Sequence, residues 1–97
     1  MEYINAAALD GSEYNPQKLS RKQSAEIRAF LQEFRFVNPV LVNKNELRRN
    51  VLINGHQLVQ VWWSMGYIYV PVVYVNLSLE KEKKLNIFLN KNTGFLN

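Results

Sequence analysis

The sequence predicts an α+β fold, a β-sheet with three helices packed against it. Two observations carry that expectation. Short β-favouring runs recur at residues 40–42, 51–53 and 70–75, and helix-spaced apolar stripes lie before, between and after them. Turn formers punctuate the order, which reads strand, loop, helix, hairpin, helix, strand, helix.

The first element, residues 3–9, reads as a short strand weakened by Ala6, Ala7 and Ala8. Gly11, Ser12, Asn15 and Pro16 then mark a loop. Ser20 and Gln23 have the spacing of a capping box, in which each side chain satisfies a backbone donor of the other residue. Ile27, Phe30, Leu31 and Phe34 follow at i, i+3, i+4, i+7 and make one stripe of the first helix. That helix must stop before Asn38-Pro39, because a residue preceding proline is pushed out of the helical region. The two runs at 40–42 and 51–53 flank a polar connection, and an antiparallel hairpin is the simplest reading.

The second helix is expected over residues 56–65, with Leu58, Val61, Trp62 and Met65 facing inward and Gly66 ending it. Trp62 belongs to the core, and its neighbour Trp63 points elsewhere, because adjacent residues do not share a helix face. Pro71 sits near the start of the strand at 70–75, where a missing donor is tolerated. Ser78 is positioned to cap the third helix, with Glu80 and Glu82 near the positive end of its dipole and Leu85, Phe88 and Leu89 toward the core.

The 97 residues fit one domain, 1–97. Phe95 and Leu96 have little left to pack against at the end of the chain, which suggests one domain of a longer protein. The absence of cysteine excludes disulfides, a thiol nucleophile and a thiolate zinc site. A single histidine excludes a multi-histidine metal site within the chain. No apolar run approaches the ~18 residues of a membrane helix. The N-terminus has no basic stretch before its alanines, so it does not read as a signal peptide, and a cytoplasmic location is expected. A net charge of +4 is compatible with a nucleic-acid partner without requiring one.

Taken in order, several segments resemble the motifs of the ParB/sulfiredoxin-like superfamily. Asn15-Pro16-Gln17-Lys18 is similar to its "NPR" box, and 34–40 to the "FG…P(I/V)" segment. Asn54-Gly55-His56-Gln57 is similar to "GHRR" or "GERR", 67–77 to "VPV…DLS", and 89–94 to an "ALNK.SG" ending. That ending marks the subgroup associated with DNA-modification methylases and phage proteins. The resemblance spans residues 15–94 and implies a small mixed sheet. It implies a nucleotide- or phosphate-binding or regulatory module in DNA handling, with CTP and magnesium as the ligand in partition proteins. DNA, a methylase or a phage factor would be the partner, with homo-oligomerisation as a further expectation. A nuclease or nucleotide triphosphatase on the same scaffold is the enzymatic alternative. A degenerate protein-interaction module with Trp63 in the interface is another.

By this resemblance, Asn54, Gly55, His56 and Gln57 would form the phosphate-facing turn, with Asn15 and Asn90 nearby. Backbone donors and the dipole at a helix start bind anions generally. The same residues also fit a plain strand-to-helix connection in which Gly55 serves only backbone geometry. The chain departs from the family where paired arginines become Gln57 and Leu58, and where a central glycine becomes Arg35. An acidic residue of the "EN" motif becomes Leu89, which weakens the case for magnesium. His56 stands at the sulfiredoxin cysteine position and is the candidate acid or base, with Asp10 and Glu13 as the carboxylates near the first box. Lys44, Arg48 and Arg49 on the hairpin connection are candidate DNA-phosphate contacts or simply solvated.

Overall fold

The computed structural model describes residues 2–11 and 19–93, with only the backbone described for 90–93. The elements are β1 (Glu2–Asn5), a 3₁₀ turn (Ala6–Ala8), α1 (Arg21–Phe34), β2 (Val40–Asn43), β3 (Val51–Leu52), α2 (His56–Ser64), β4 (Tyr69–Val75) and α3 (Leu79–Thr93). The four strands form one mixed sheet in the order β1-β4-β2-β3. The β1–β4 and β2–β3 pairs are antiparallel, and the central β2–β4 pair is parallel. The hairpin and the α+β class stand as expected.

The first strand is shorter than the sequence suggests. Asn5 ends it, because its side-chain oxygen accepts from the Ala7 amide at 2.8 Å and starts the 3₁₀ turn. Asp10 then bridges to Val51, with Leu52 N donating to the Asp10 carbonyl at 2.8 Å. The chain therefore passes from one edge of the sheet to the other between Asn5 and Asp10. Five residues span at most ~17 Å, whereas four flat strand spacings need ~19 Å, so the sheet has to curl.

One face of the sheet carries Val40, Val42, Leu52, Val70 and Val72, which pack against Ile27 and Leu31 of α1 and Leu58, Val61 and Trp62 of α2. Both helix ends follow local rules. The Ser20–Gln23 capping box is formed in both directions. Gly66, at φ 91°, closes α2, with Gly66 N bonded to the Trp63 carbonyl and Tyr67 N to that of Trp62.

On α3 the inward stripe differs from the expected one. Glu82 and Asn86 are buried, Leu85 and Leu89 half-buried, and Phe88 is 61% exposed. Two polar contacts set this phase. Glu82 accepts from Asn43 Nδ2 at 2.8 Å, and Asn86 Nδ2 donates to the Ile53 carbonyl at 2.7 Å. With Glu82, Leu85, Asn86 and Leu89 turned inward, Phe88 falls off the packed face. Ser78 does cap the helix start, accepting from Lys81 N at 3.4 Å.

Candidate functional site

The strand-turn-helix at 52–58 begins with Gly55, which precedes α2 at φ 77° and ψ 19°. A Cβ there would stand 2.6 Å from Val40 Cγ1 on β2. Glycine is thus required twice, for the left-handed backbone and for the close approach of strand to turn. Having no side chain, Gly55 offers α2 no N-cap bond, in contrast to the capping box that closes the start of α1. The positive end of the α2 dipole lies at His56 and Gln57.

Asn54 does a structural job. Its Oδ1 accepts from Leu41 N at 2.7 Å and ties the turn to β2. The half-buried His56 ring donates to the Leu52 carbonyl. Burial holds its pKa below the usual 6.5, and the Leu52 carbonyl and the Glu82 carboxylate oppose that shift without overcoming it. A neutral imidazole at neutral pH follows.

Three small cavities flank the turn. One of about 90 Å³ lies against Asn54 and Leu58, beside Val37 and Pro39. A second of about 150 Å³ is lined by Gln23, Glu26, Ile27 and Gln57. The third, about 260 Å³, has His56, Leu9, Gly11 and Gln60 on its walls. Among the described residues, none of the three is lined by arginine or lysine. No group of three His, Asp or Glu residues among the described residues could hold a metal ion.

The remaining candidates are scattered. Asn15 and Glu13 lie outside the described residues. Asn90 is on α3, one turn beyond Asn86, and its side chain is not among those described. Lys44 and Arg49 are exposed. Arg48 differs from a solvated loop arginine. Its Nη2 is 2.9 Å from Glu82 Oε2 and its Nε 3.2 Å from Oε1, and its side chain is 14% exposed. The sequence reading missed this pair. The only signal was an acid in the first turn of α3 and a basic connection after β2, neither of which specifies the other.

Asn43 is the second feature missed. It is fully buried, its Oδ1 accepts from Asn45 N and Leu77 N, and its Nδ2 reaches Leu77 O and Glu82. The tryptophans fall as expected, with Trp62 7% and Trp63 49% exposed. No helix among the described residues is long and apolar enough to cross a membrane.

The architecture is that of a ParB N-terminal domain. The chain superposes on the C-terminally truncated chromosome-partitioning protein ParB from Caulobacter crescentus complexed with CTP-γ-S, with a TM-score of 0.78 at 13% identity. That match covers 95% of this chain and 52% of the ParB chain. The same truncated protein complexed to the centromeric parS site gives 0.75 at 14% identity, over 100% of this chain and 50% of that one. A Pnob8-like ParB-N domain gives 0.69 at 16% identity, over 94% and 36%. The chain thus spans about half or less of the solved chains it resembles. No family model and no curated protein matches the sequence.

Proposed function

We propose that this chain is a ParB-like cytoplasmic module that binds a phosphate group, as part of a nucleotide, at the start of α2 and works in DNA handling. The observation that carries this reading is the α2 N-terminus, whose N-cap residue Gly55 supplies no side-chain cap and, tolerating no Cβ, lets the turn approach β2 closely. A chain of the same fold is solved with CTP-γ-S, which supports a nucleotide as the ligand to try first. A DNA partner is supported in the same way by the fold's occurrence in a complex with the parS site. The methylase or phage setting rests on the sequence motifs alone. Magnesium would arrive with the nucleotide, since among the described residues no carboxylate set at the turn is built to hold it.

The test is calorimetric titration with CTP, ATP and GTP, with and without magnesium. Saturable binding that weakens in Gln57→Glu supports the reading, because a carboxylate in the first turn repels phosphate while favouring the helix dipole. No binding at millimolar nucleotide by a folded protein would overturn it.

A further inference from the structure

We propose that a second site, an aromatic groove that shares no lining residue with the Asn54–Gln57 turn, binds single-stranded DNA, with bases stacked on Tyr3 and Tyr69 and a phosphate held by Arg35. The groove, of about 210 Å³, is lined by Tyr3, Arg35, Phe36, Trp62, Tyr69 and Pro71. Tyr3 and Tyr69 come from the paired strands β1 and β4 and are 64% and 62% exposed. Trp62 forms a fixed wall. Its Nε1 donates to the Tyr69 carbonyl at 2.9 Å, Tyr67 stacks on it at 4.2 Å, and Phe36 meets its ring edge-on at 5.2 Å.

Arg35 is the second, independent observation. It follows α1 at φ 58° and ψ −153°, backbone that glycine adopts readily and other residues resist. The chain nevertheless places an exposed arginine there, with its guanidinium 5.5 Å from the centre of the Tyr67 ring. Glycine would end the helix with less strain, so the backbone does not account for the choice. A cation beside exposed aromatic faces matches a base next to its phosphate. The described lining holds no carboxylate and the chain carries +4, which favours an anionic partner. A proline-rich peptide would use the rings and leave the cation idle. The choice of DNA over RNA rests on the reading in the preceding section, whereas the groove itself does not.

The experiment is fluorescence anisotropy of a labelled oligothymidine of about 16 nucleotides, read together with quenching of tryptophan emission. Saturable binding that weakens with salt is expected. Tyr3→Ala and Tyr69→Ala each weaken it by roughly tenfold. Arg35→Gly weakens it, lowers the salt slope by about one, and raises Tm by relieving the backbone, so the lost binding is not lost folding. Affinity unchanged in these variants would overturn the site, as would no saturable binding or tighter binding of a proline-rich peptide. Preference for the matching RNA would overturn the choice of DNA. Free CTP leaves the oligonucleotide bound. Displacement by CTP would place the binding at α2 instead and refute the groove, while a failed nucleotide titration leaves the groove's result standing.

Discussion

Arg48 and Glu82, 34 residues apart, meet through two hydrogen bonds, of 2.9 and 3.2 Å, around a carboxylate with no solvent exposure. The pair ties the β2–β3 connection to α3, and Asn43 reaches the same carboxylate from β2. Breaking such a pair from one side leaves a buried charge with too few partners. Glu82→Ala or Arg48→Ala is expected to cost about 3–5 kcal/mol, a large fraction of the stability of so small a domain. The double variant Arg48→Met with Glu82→Leu should recover much of that loss, because both charges then leave together. Urea unfolding of the three variants checks it. A double variant as unstable as the singles would mean that the carboxylate's main partner is not Arg48.

Gly55 and Val40 are coupled by contact. Alanine at 55 places its Cβ against Val40 Cγ1 and takes on a left-handed backbone, so a loss of about 1–3 kcal/mol is expected. Val40→Ala removes the clashing methyl and leaves a cavity of its own. The two changes together should cost less than the sum of their separate costs, by about 0.5 kcal/mol or more. Strict additivity in denaturant melts would place the whole penalty in the backbone torsion rather than in the contact.

The elements were legible where their signals are local. The capping box at Ser20, the stripe of Ile27 and Leu31, and the left-handed Gly66 all lie within a few residues of what they determine. The α2 turn was legible for the same reason, since Gly55 precedes an apolar stripe directly. What the sequence left open depends on partners far along the chain. Glu82 reads as a solvated first-turn acid until Asn43 and Arg48 are brought to it. Phe88 reads as core because its spacing suits a stripe, yet the polar contacts of Glu82 and Asn86 rotate it outward. Asn54 carries the family resemblance of a ligand residue, and only the position of Leu41 reveals its structural bond. The parallel β2–β4 pairing has no local signature at all.

His56 gives a pH dependence with a definite sign. Its folded pKa lies below 6.5, chiefly because its burial disfavours the charged form. Between that folded value and 6.5 the unfolded chain binds more protons than the native one. Stability is therefore fully present above 6.5 and falls as the pH drops toward the folded pKa. Since the chain has one histidine, the imidazole part of the slope in this window belongs to His56. His56→Gln should flatten it, as read from urea midpoints between about pH 7.5 and 5. An unchanged slope would mean that the imidazole titrates normally.

Asn54 and Gln57 flank the Gly55-His56 turn and should separate in their effects. Asn54→Ala removes the partner of Leu41 N and is expected to lower stability by about 1–2 kcal/mol, leaving the nucleotide affinity of the folded protein unchanged. Gln57 lines the cavity that also holds Glu26, in the first turn of α2. Arginine at 57 supplies a fixed fork of donors, and a charge-assisted bond to phosphate raises affinity by roughly tenfold or more. It places a cation at the positive end of the dipole, at a cost of about 0.3–1 kcal/mol in stability. Glu26 would compete for the new guanidinium, so the clean comparison is Gln57→Arg with Glu26→Gln against Glu26→Gln alone. Tighter triphosphate binding with lower thermal stability is the expected pair of outcomes in calorimetry and melting. A variant that loses stability and gains no affinity would show that the α2 start does not face the phosphates, and would leave Gly55 as a residue of geometry alone.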